Sequence, residues 1–401
     1  MYMDWAIWNK CYFDFTPINP FFKLYKRDSD EGEMIPNFKS KVLKSNSSPS
    51  YNCEFLWRKI CTNYDTQLIF KIYTKLPIGG DKYYGWFQTS ISEMQEAVSQ
   101  GEEISFKLEN DIKTFDNWIC NIDNFILEER PNFSDFLKSE WQLNLIVAID
   151  FTSSNLDSTD PHSLHYIHPD GNLNDYQEAI TRIGNILERY TKKRKYASFG
   201  FGAIPKHKPV EGDFHDLFAL TGVKNNKVSH CFNLNGLQNP EVEGVDGILE
   251  AYEYTLKNCR LYGPTCFNPC ISRAIEYIKN SNSEKTFHIM LILTDGDIHD
   301  MPATKDIIID GCEYPLSFII IGLGKLSFSQ MKELDGDDIA LRNTQGIATN
   351  RDIVQFVKYN DCRDKCDQDI AEKVLEEVPE QVISYRVKNN ISLESQKTKS
   401  K

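Results

Sequence analysis

Apolar and polar positions alternate along the first part of the chain and then change rhythm. Phe21–Tyr25, Leu68–Tyr73 and Ile104–Leu108 carry the alternation of half-buried strands. The stretches Asp28–Gly32, Ser45–Pro49 and Pro77–Asp81 between them are dense in Gly, Pro, Ser, Asn and Asp and read as turns. Short strands spaced in this way predict a β-sandwich over residues 1–130. Beyond residue 140 the strand candidates become unbroken apolar runs, Leu143–Ile149, Ala197–Phe201, Phe287–Leu293 and Leu316–Ile321. Short runs rich in branched residues suit strands buried on both faces. Amphipathic helical stretches fall between them, at Leu173–Thr191, Glu243–Asn258, Phe267–Asn280 and Pro302–Asp310. Strand and helix alternating over residues 141–360 predict an α/β fold, a doubly wound parallel sheet flanked by helices. Residues 131–140 read as a linker, and 361–401 as a tail that is helical through Ile383 and disordered over Ser392–Lys401.

In a doubly wound sheet, ligands sit outside the carboxyl ends of the strands. Two predicted strands end in aspartate there: Leu145–Asp150, followed by Phe-Thr152-Ser-Ser154-Asn155, and Ile289–Asp295. Leu261-Tyr-Gly-Pro-Thr265 leads into the helix near Phe267, so three segments bring oxygen-bearing groups to one edge. An aspartate with hydroxyls two and four positions later can converge on a hard cation, which prefers oxygen ligands. The same string is also a common helix cap, and capping alone is the alternative reading. Asp297 lies nearby in a glycine-flanked turn.

Charge narrows the partners. Lys and Arg total 45 against 58 Asp and Glu, a net charge of −13, which disfavours non-specific nucleic-acid binding. Lys23, Lys26, Arg27, Lys39, Lys41 and Lys44 nevertheless cluster on the predicted sandwich; a cationic face of that kind can bind anionic phospholipid without Ca²⁺, and a merely solvated face is the alternative reading. With no apolar run near the length of a membrane span and no leader-like start, neither a transmembrane helix nor a signal peptide is expected. A cytoplasmic protein, peripheral at the plasma membrane, is the expectation. The 11 cysteines are scattered; the C-x3-C pairs Cys266/Cys270 and Cys362/Cys366 lack partner ligands and read as reduced structural thiols. His162, His165 and His168 are regularly spaced, which leaves metal binding conceivable, but they sit between prolines in what reads as an irregular loop. No phosphate-binding loop or nucleophile elbow occurs, and Gly322-Leu-Gly324 lacks a third glycine, so no enzyme activity is expected.

The D-x-T-x-S string at Asp150 resembles the metal-ion-dependent adhesion site of von Willebrand factor A domains. Around it, Ser163–Ile167, Phe199–Ala203, Leu249–Tyr252, Leu261–Thr265, Leu334–Asp337, Arg351–Phe356 and the tail Val374–Ser384 occur in the order found in copines. The resemblance implies a von Willebrand A-like, Rossmann-type copine domain preceded by a C2 domain. It implies a metal site of Asp150, Thr152, Ser154, Thr265 and Asp295 holding Mg²⁺ or Mn²⁺, with one position open to an acidic group of a partner protein. Residues 1–130 resemble the second copine C2 domain more loosely; a first C2 domain is not expected in this chain. Asn19, Thr74 and Leu76 stand where C2 domains place acids, and only Asp14 and Asp81 remain, too few for a good Ca²⁺ site. The family role, calcium-dependent phospholipid binding, is therefore expected to be weakened. The implied function is a non-enzymatic adaptor for intracellular proteins and membranes. The alternatives are an interaction remnant without metal, or a scaffold related to the plant ubiquitin ligases of this family but lacking their zinc-binding RING.

Overall fold

In the computed structural model the change of rhythm falls between Asn132 and Phe133, where the chain divides into two units. The described residues are 4–13, 19–27, 34–43, 50–56, 60–76, 80–109, 119–130, 133–206, 214–215, 227–281, 285–336 and 341–391. The first unit carries β1 (Asp4–Phe13), β2 (Pro20–Arg27), β3 (Ile35–Lys39), β4 (Ser50–Leu56), β5 (Gln67–Lys75), β6 (Asp81–Thr89), α1 (Ile91–Gln100), β7 (Ile104–Lys107) and β8 (Ile119–Arg130). They form two antiparallel sheets, in the orders β4-β1-β8-β7 and β3-β2-β5-β6. Period-2 alternation buries Phe22 and Leu24 of β2, Phe70 and Ile72 of β5 and Phe87 of β6 against Tyr51, Phe55, Cys120 and Ile122 of the other sheet. The helix α1 starts at a capping box in which Ser90 and Glu93 each accept the other's backbone N–H. Most of the turn stretches read from the sequence, and Asp14 and Lys44 with them, lie outside the described residues.

The second unit begins with α2 (Phe133–Lys138) and β9 (Gln142–Asp150), followed by α3 (Asp175–Glu188), β10 (Lys195–Phe201), β11 (Ala203–Pro205), β12 (Phe214–His215), β13 (Ser229–Asn233) and β14 (Glu241–Glu243). It continues with α4 (Gly244–Asn258), β15 (Cys259–Leu261), α5 (Asn268–Asn280), β16 (Thr286–Thr294), α6 (Met301–Gly311) and β17 (Leu316–Gly322). The last elements are α7 (Ser329–Asp335), β18 (Val354–Lys358), α8 (Asp367–Val374) and α9 (Val378–Lys388). Five strands lie parallel in the order β10-β9-β16-β17-β18, and antiparallel β13, β11 and β15 extend the sheet beyond β10. Because side chains alternate along a strand, β9 sends Leu145, Val147 and Ile149 into a core shared with α3, α4, α8 and α9. Its Ile146 and Ala148 enter a second core with α5, α6 and α7. Burial on both faces accounts for the unbroken apolar runs. The architecture is mixed α/β.

Two boundaries differ from the sequence reading. The stretch 131–140 contains α2, whose Phe136 is fully buried in the second unit's core, because its apolar side chains give the segment a face to pack. The stretch read as one helix through Ile383 is two, α8 and α9, and Ile370, Val374, Val378 and Val382 join the same core, so these helices belong to the unit itself. Arg351 fastens the second of them. Its guanidinium donates to the carbonyls of Cys312 (3.0 Å) and Gln381 (3.1 Å), and lies over the Tyr385 ring.

Candidate metal centre

Asp150 ends β9 next to the end of β16, and everything at the candidate site is built on that adjacency. The Asp150 carboxylate is fully buried and takes three hydrogen bonds: Oδ1 from the backbone N–H (2.8 Å) and hydroxyl (2.6 Å) of Thr152, and Oδ2 from the hydroxyl of Thr294 (2.7 Å). Ser154 donates to Asp295 Oδ1 at 3.0 Å, and the Thr152 and Ser154 hydroxyl oxygens lie 2.9 Å apart. A chain Asp150–Thr152–Ser154–Asp295 thus crosses between the two strand ends. Burial first, then the charge of Asp295, raises the Asp150 carboxyl well above the usual carboxylate range, and burial also raises Asp295. Among the described residues neither carboxylate forms an ion pair, and no cluster of three or more His, Cys, Asp or Glu is present.

The hydroxyls of Thr152 and Ser154 donate to the two carboxyl groups, and their oxygens also lie within hydrogen-bond distance of each other, where either can be the donor. Four oxygen-bearing side chains thus converge on one buried spot, and a hard cation there would offset the cost of ionising both carboxyls. The donor set, carboxylates and hydroxyls without thiolate or imidazole, is of the kind that suits Mg²⁺ or Mn²⁺.

The remaining sequence candidates fall in different places. Thr265 is buried and its backbone pairs with His299, four residues past Asp295, through a bond of 2.8 Å; its hydroxyl makes no hydrogen bond to the other four residues. Asp297 is exposed and accepts weakly from the Gln330 backbone at 3.4 Å, at the start of α7. The three histidines diverge. His162 is exposed, while His165 is buried and supports the site from behind, Nε2 at 3.0 Å from the Asp150 carbonyl and Nδ1 at 2.7 Å from the Tyr252 hydroxyl. A carbonyl only accepts, so Nε2 carries the proton and Nδ1 accepts from Tyr252. Burial holds His165 far below its usual pKa, at about 3, and the ring is neutral. Ser163 ties the same segment down by donating to the carbonyls of Asn155 (2.8 Å) and Leu156 (2.9 Å). The sequence reading missed Thr294 and this use of His165. Thr294 adjoined a named residue, but only the strand register reveals that it faces Asp150.

These features define a mixed α/β protein with a buried oxygen cluster at the carboxyl edge of its parallel sheet. The family model for Copine matches residues 163–226 and 218–394, and the chain belongs to the copine family. It is 34% identical over 387 residues to Protein BONZAI 2 of Arabidopsis thaliana, and 33% identical over 383 residues to Protein BONZAI 1 of the same plant. Each match covers 94% of this chain, which spans only 63% of the relative's length. Among solved structures, one described as BON1-C2B aligns with 31% of this chain and 92% of its own, at 17% identity and a TM-score of 0.26. A C2 domain of plant Extended Synaptotagmin 1 aligns with 32% of this chain and 96% of its own, at 14% identity and a TM-score of 0.24. Among the described residues no helix is long and apolar enough to cross a membrane.

Proposed function

We propose that this chain is a non-enzymatic adaptor in which a von Willebrand A-like second unit grips a partner protein through a divalent cation. The observation that carries this reading is the convergence of the Thr152 and Ser154 hydroxyls between two buried carboxyl groups. Asp150, Thr152, Ser154 and Asp295 would hold Mg²⁺ or Mn²⁺, and Thr265 stands beside the Asp295 loop as the fifth candidate. When bound, the cation supplies an open coordination position for a carboxylate on an intracellular partner. The protein's own part is to fix the oxygens: Thr294 and the Thr152 backbone orient Asp150, and His165 holds the Asp150 carbonyl. Isothermal titration with Mg²⁺ and with Mn²⁺ tests this, comparing wild type with Asp150→Ala. Saturable heat in wild type alone is the expected result; no heat in wild type with either ion overturns the reading.

The first unit is assigned membrane contact at the cytoplasmic side of the plasma membrane. Lys39, Lys23 and Lys71 are register partners across β3, β2 and β5, a row of like charges that costs stability unless something offsets it. Each ammonium lies over a ring: Lys23 over Tyr73 at 5.0 Å, Lys39 over Phe21 at 5.2 Å, and Lys71 over Tyr25 at 4.9 Å. Such a row attracts anionic phospholipid by about 1 kcal/mol per lysine. Among the described residues Ca²⁺ has little to bind here. Asp81 is ion-paired with Lys75 at 3.0 Å, Asn19 donates to the Lys75 carbonyl, and Thr74 is buried. Flotation with phosphatidylserine vesicles should be equal with Ca²⁺ and with chelator, and reduced in Lys23→Glu/Lys71→Glu; flotation that requires Ca²⁺ contradicts the assignment.

A further inference from the structure

The sheet that carries the candidate metal centre at its carboxyl edge has a cavity of about 850 Å³ at its amino edge. The strands that line it depart from the apolar rule at alternate positions. Gln142 and Asn144 of β9 stand in register with Thr286 and His288 of β16. They share the face of Ile146 and Met290, but the helix that covers those two, α5, ends at Asn280. The polar side chains therefore open into a space lined also by Tyr277, and by Glu241 and Glu243 of β14.

Two polar atoms there have no partner. Gln142 and Thr286 satisfy each other at 3.0 Å, whereas Asn144 Oδ1 and His288 Nδ1 are buried and unbonded. His288 is only 1% exposed, and burial lowers its pKa to about 4, leaving a neutral ring. A neutral ring carries its proton on one nitrogen only, and with that proton on Nε2 the unbonded Nδ1 is an acceptor. The floor thus presents two acceptors side by side, both lacking a donor. At the mouth, Lys193 and Lys195 are exposed and form no ion pair among the described residues, while Arg194 is paired with Glu188 at 3.1 Å.

We propose that this cavity binds a phosphorylated polyol, with ring hydroxyls donating to Asn144 and His288 at the floor and the phosphate held by Lys193 and Lys195 at the mouth. Vicinal hydroxyls match two neighbouring acceptors, and the size is that of a small-molecule site. The site is separate from the Asp150 cluster, at the other end of the same strands.

Calorimetric titration of the full chain with inositol 1-phosphate tests this, beside inorganic phosphate and myo-inositol, and flotation with vesicles containing phosphatidylinositol 4-phosphate. Binding of inositol 1-phosphate identifies a free ligand; binding to the vesicles alone, lost in the variants below, identifies a lipid headgroup. Asn144→Leu should weaken binding about tenfold through one lost hydrogen bond, and Lys193→Ala/Lys195→Ala by about as much. The lysine variant alters exposed side chains only, so its result does not depend on core stability. The proposal is overturned by no saturable binding to either ligand, by binding that both variants leave intact, or by inorganic phosphate binding as tightly as the inositol ester.

Discussion

Replacing Gly202 by alanine should damage the proposed metal site from a distance of one strand. Gly202 follows β10 with φ +77°, a conformation that costs a residue with a Cβ about 1 kcal/mol. The added Cβ would lie 2.2 Å from Thr152 Cγ2 and 3.3 Å from the Thr152 nitrogen. Carbon atoms rest at about 3.5–4.0 Å, so one side must retreat by more than about 1 Å. Gly202 cannot retreat easily, because its N–H donates to the Ser229 carbonyl and its own carbonyl accepts from Tyr262, both at 3.0 Å. Thr152 therefore moves, and its hydroxyl leaves Asp150 and Ser154. Overpacking of this kind costs about 1–3 kcal/mol, for a total of about 2–4 kcal/mol. At about 2–4 °C per kcal/mol, the Tm of the second unit should fall by about 4–16 °C. Gly171 is the control. Its φ is +81° but nothing lies within 4 Å of its Cβ, so Gly171→Ala meets the backbone cost alone. Scanning calorimetry with and without Mg²⁺ reads both effects. A cation at a hundred times its Kd stabilises by about 2.7 kcal/mol, which wild type and Gly171→Ala should gain and Gly202→Ala should largely lose. If Gly202→Ala melts with Gly171→Ala and keeps the full Mg²⁺ increment, the placement of Thr152 in the site is wrong.

Arg351→Met should remove the charged hydrogen bonds to the Cys312 and Gln381 carbonyls and loosen α9, at about 1.5–3 kcal/mol per charged hydrogen bond; urea unfolding with a loss under 1 kcal/mol would refute that role. His288 gives a pH dependence with a defined sign. Its folded pKa is depressed to about 4, so the unfolded chain takes up the proton first, and its stabilising contribution is full above pH 6.5 and lost as pH falls toward 4. Between pH 7 and pH 4.5 this amounts to about 2 kcal/mol, and His288→Phe should remove that much of the wild-type decline in urea midpoint stability; identical declines would show that the ring is not neutral in the fold.

Most of what the sequence made legible was local. The runs Leu143–Ile149 and Phe287–Leu293 announce buried strands because burial on both faces removes polar side chains from consecutive positions. Asp150, Thr152 and Ser154 were readable because their convergence needs only the turn after one strand, and the structure brings these three together with Asp295. Thr265 was grouped with them through resemblance, and its hydroxyl makes no hydrogen bond to the others. Several strands escaped notice. β6, Asp-Lys-Tyr-Tyr-Gly-Trp-Phe-Gln-Thr, alternates only weakly, and it is held by pairing with β5.

The features that stayed hidden depend on register, which no single segment encodes. The Lys39–Lys23–Lys71 row exists only because β3, β2 and β5 pair as they do; the sequence cluster of basic residues contained two of the three and missed Lys71. The pairing of β9 with β16 has the same effect at both ends of the sheet. At the carboxyl end it sets Thr294 against Asp150, so that a fully buried carboxylate is oriented by both strands. At the amino end it sets Asn144 against His288, turning two polar residues beside apolar runs into adjacent acceptors. A one-residue slip would send every one of these side chains to the opposite face. The apolar residues between them forbid that slip, since it would exchange the contents of two filled cores. The packing that makes β9 and β16 recognisable as strands is therefore also what fixes the chemistry at their ends.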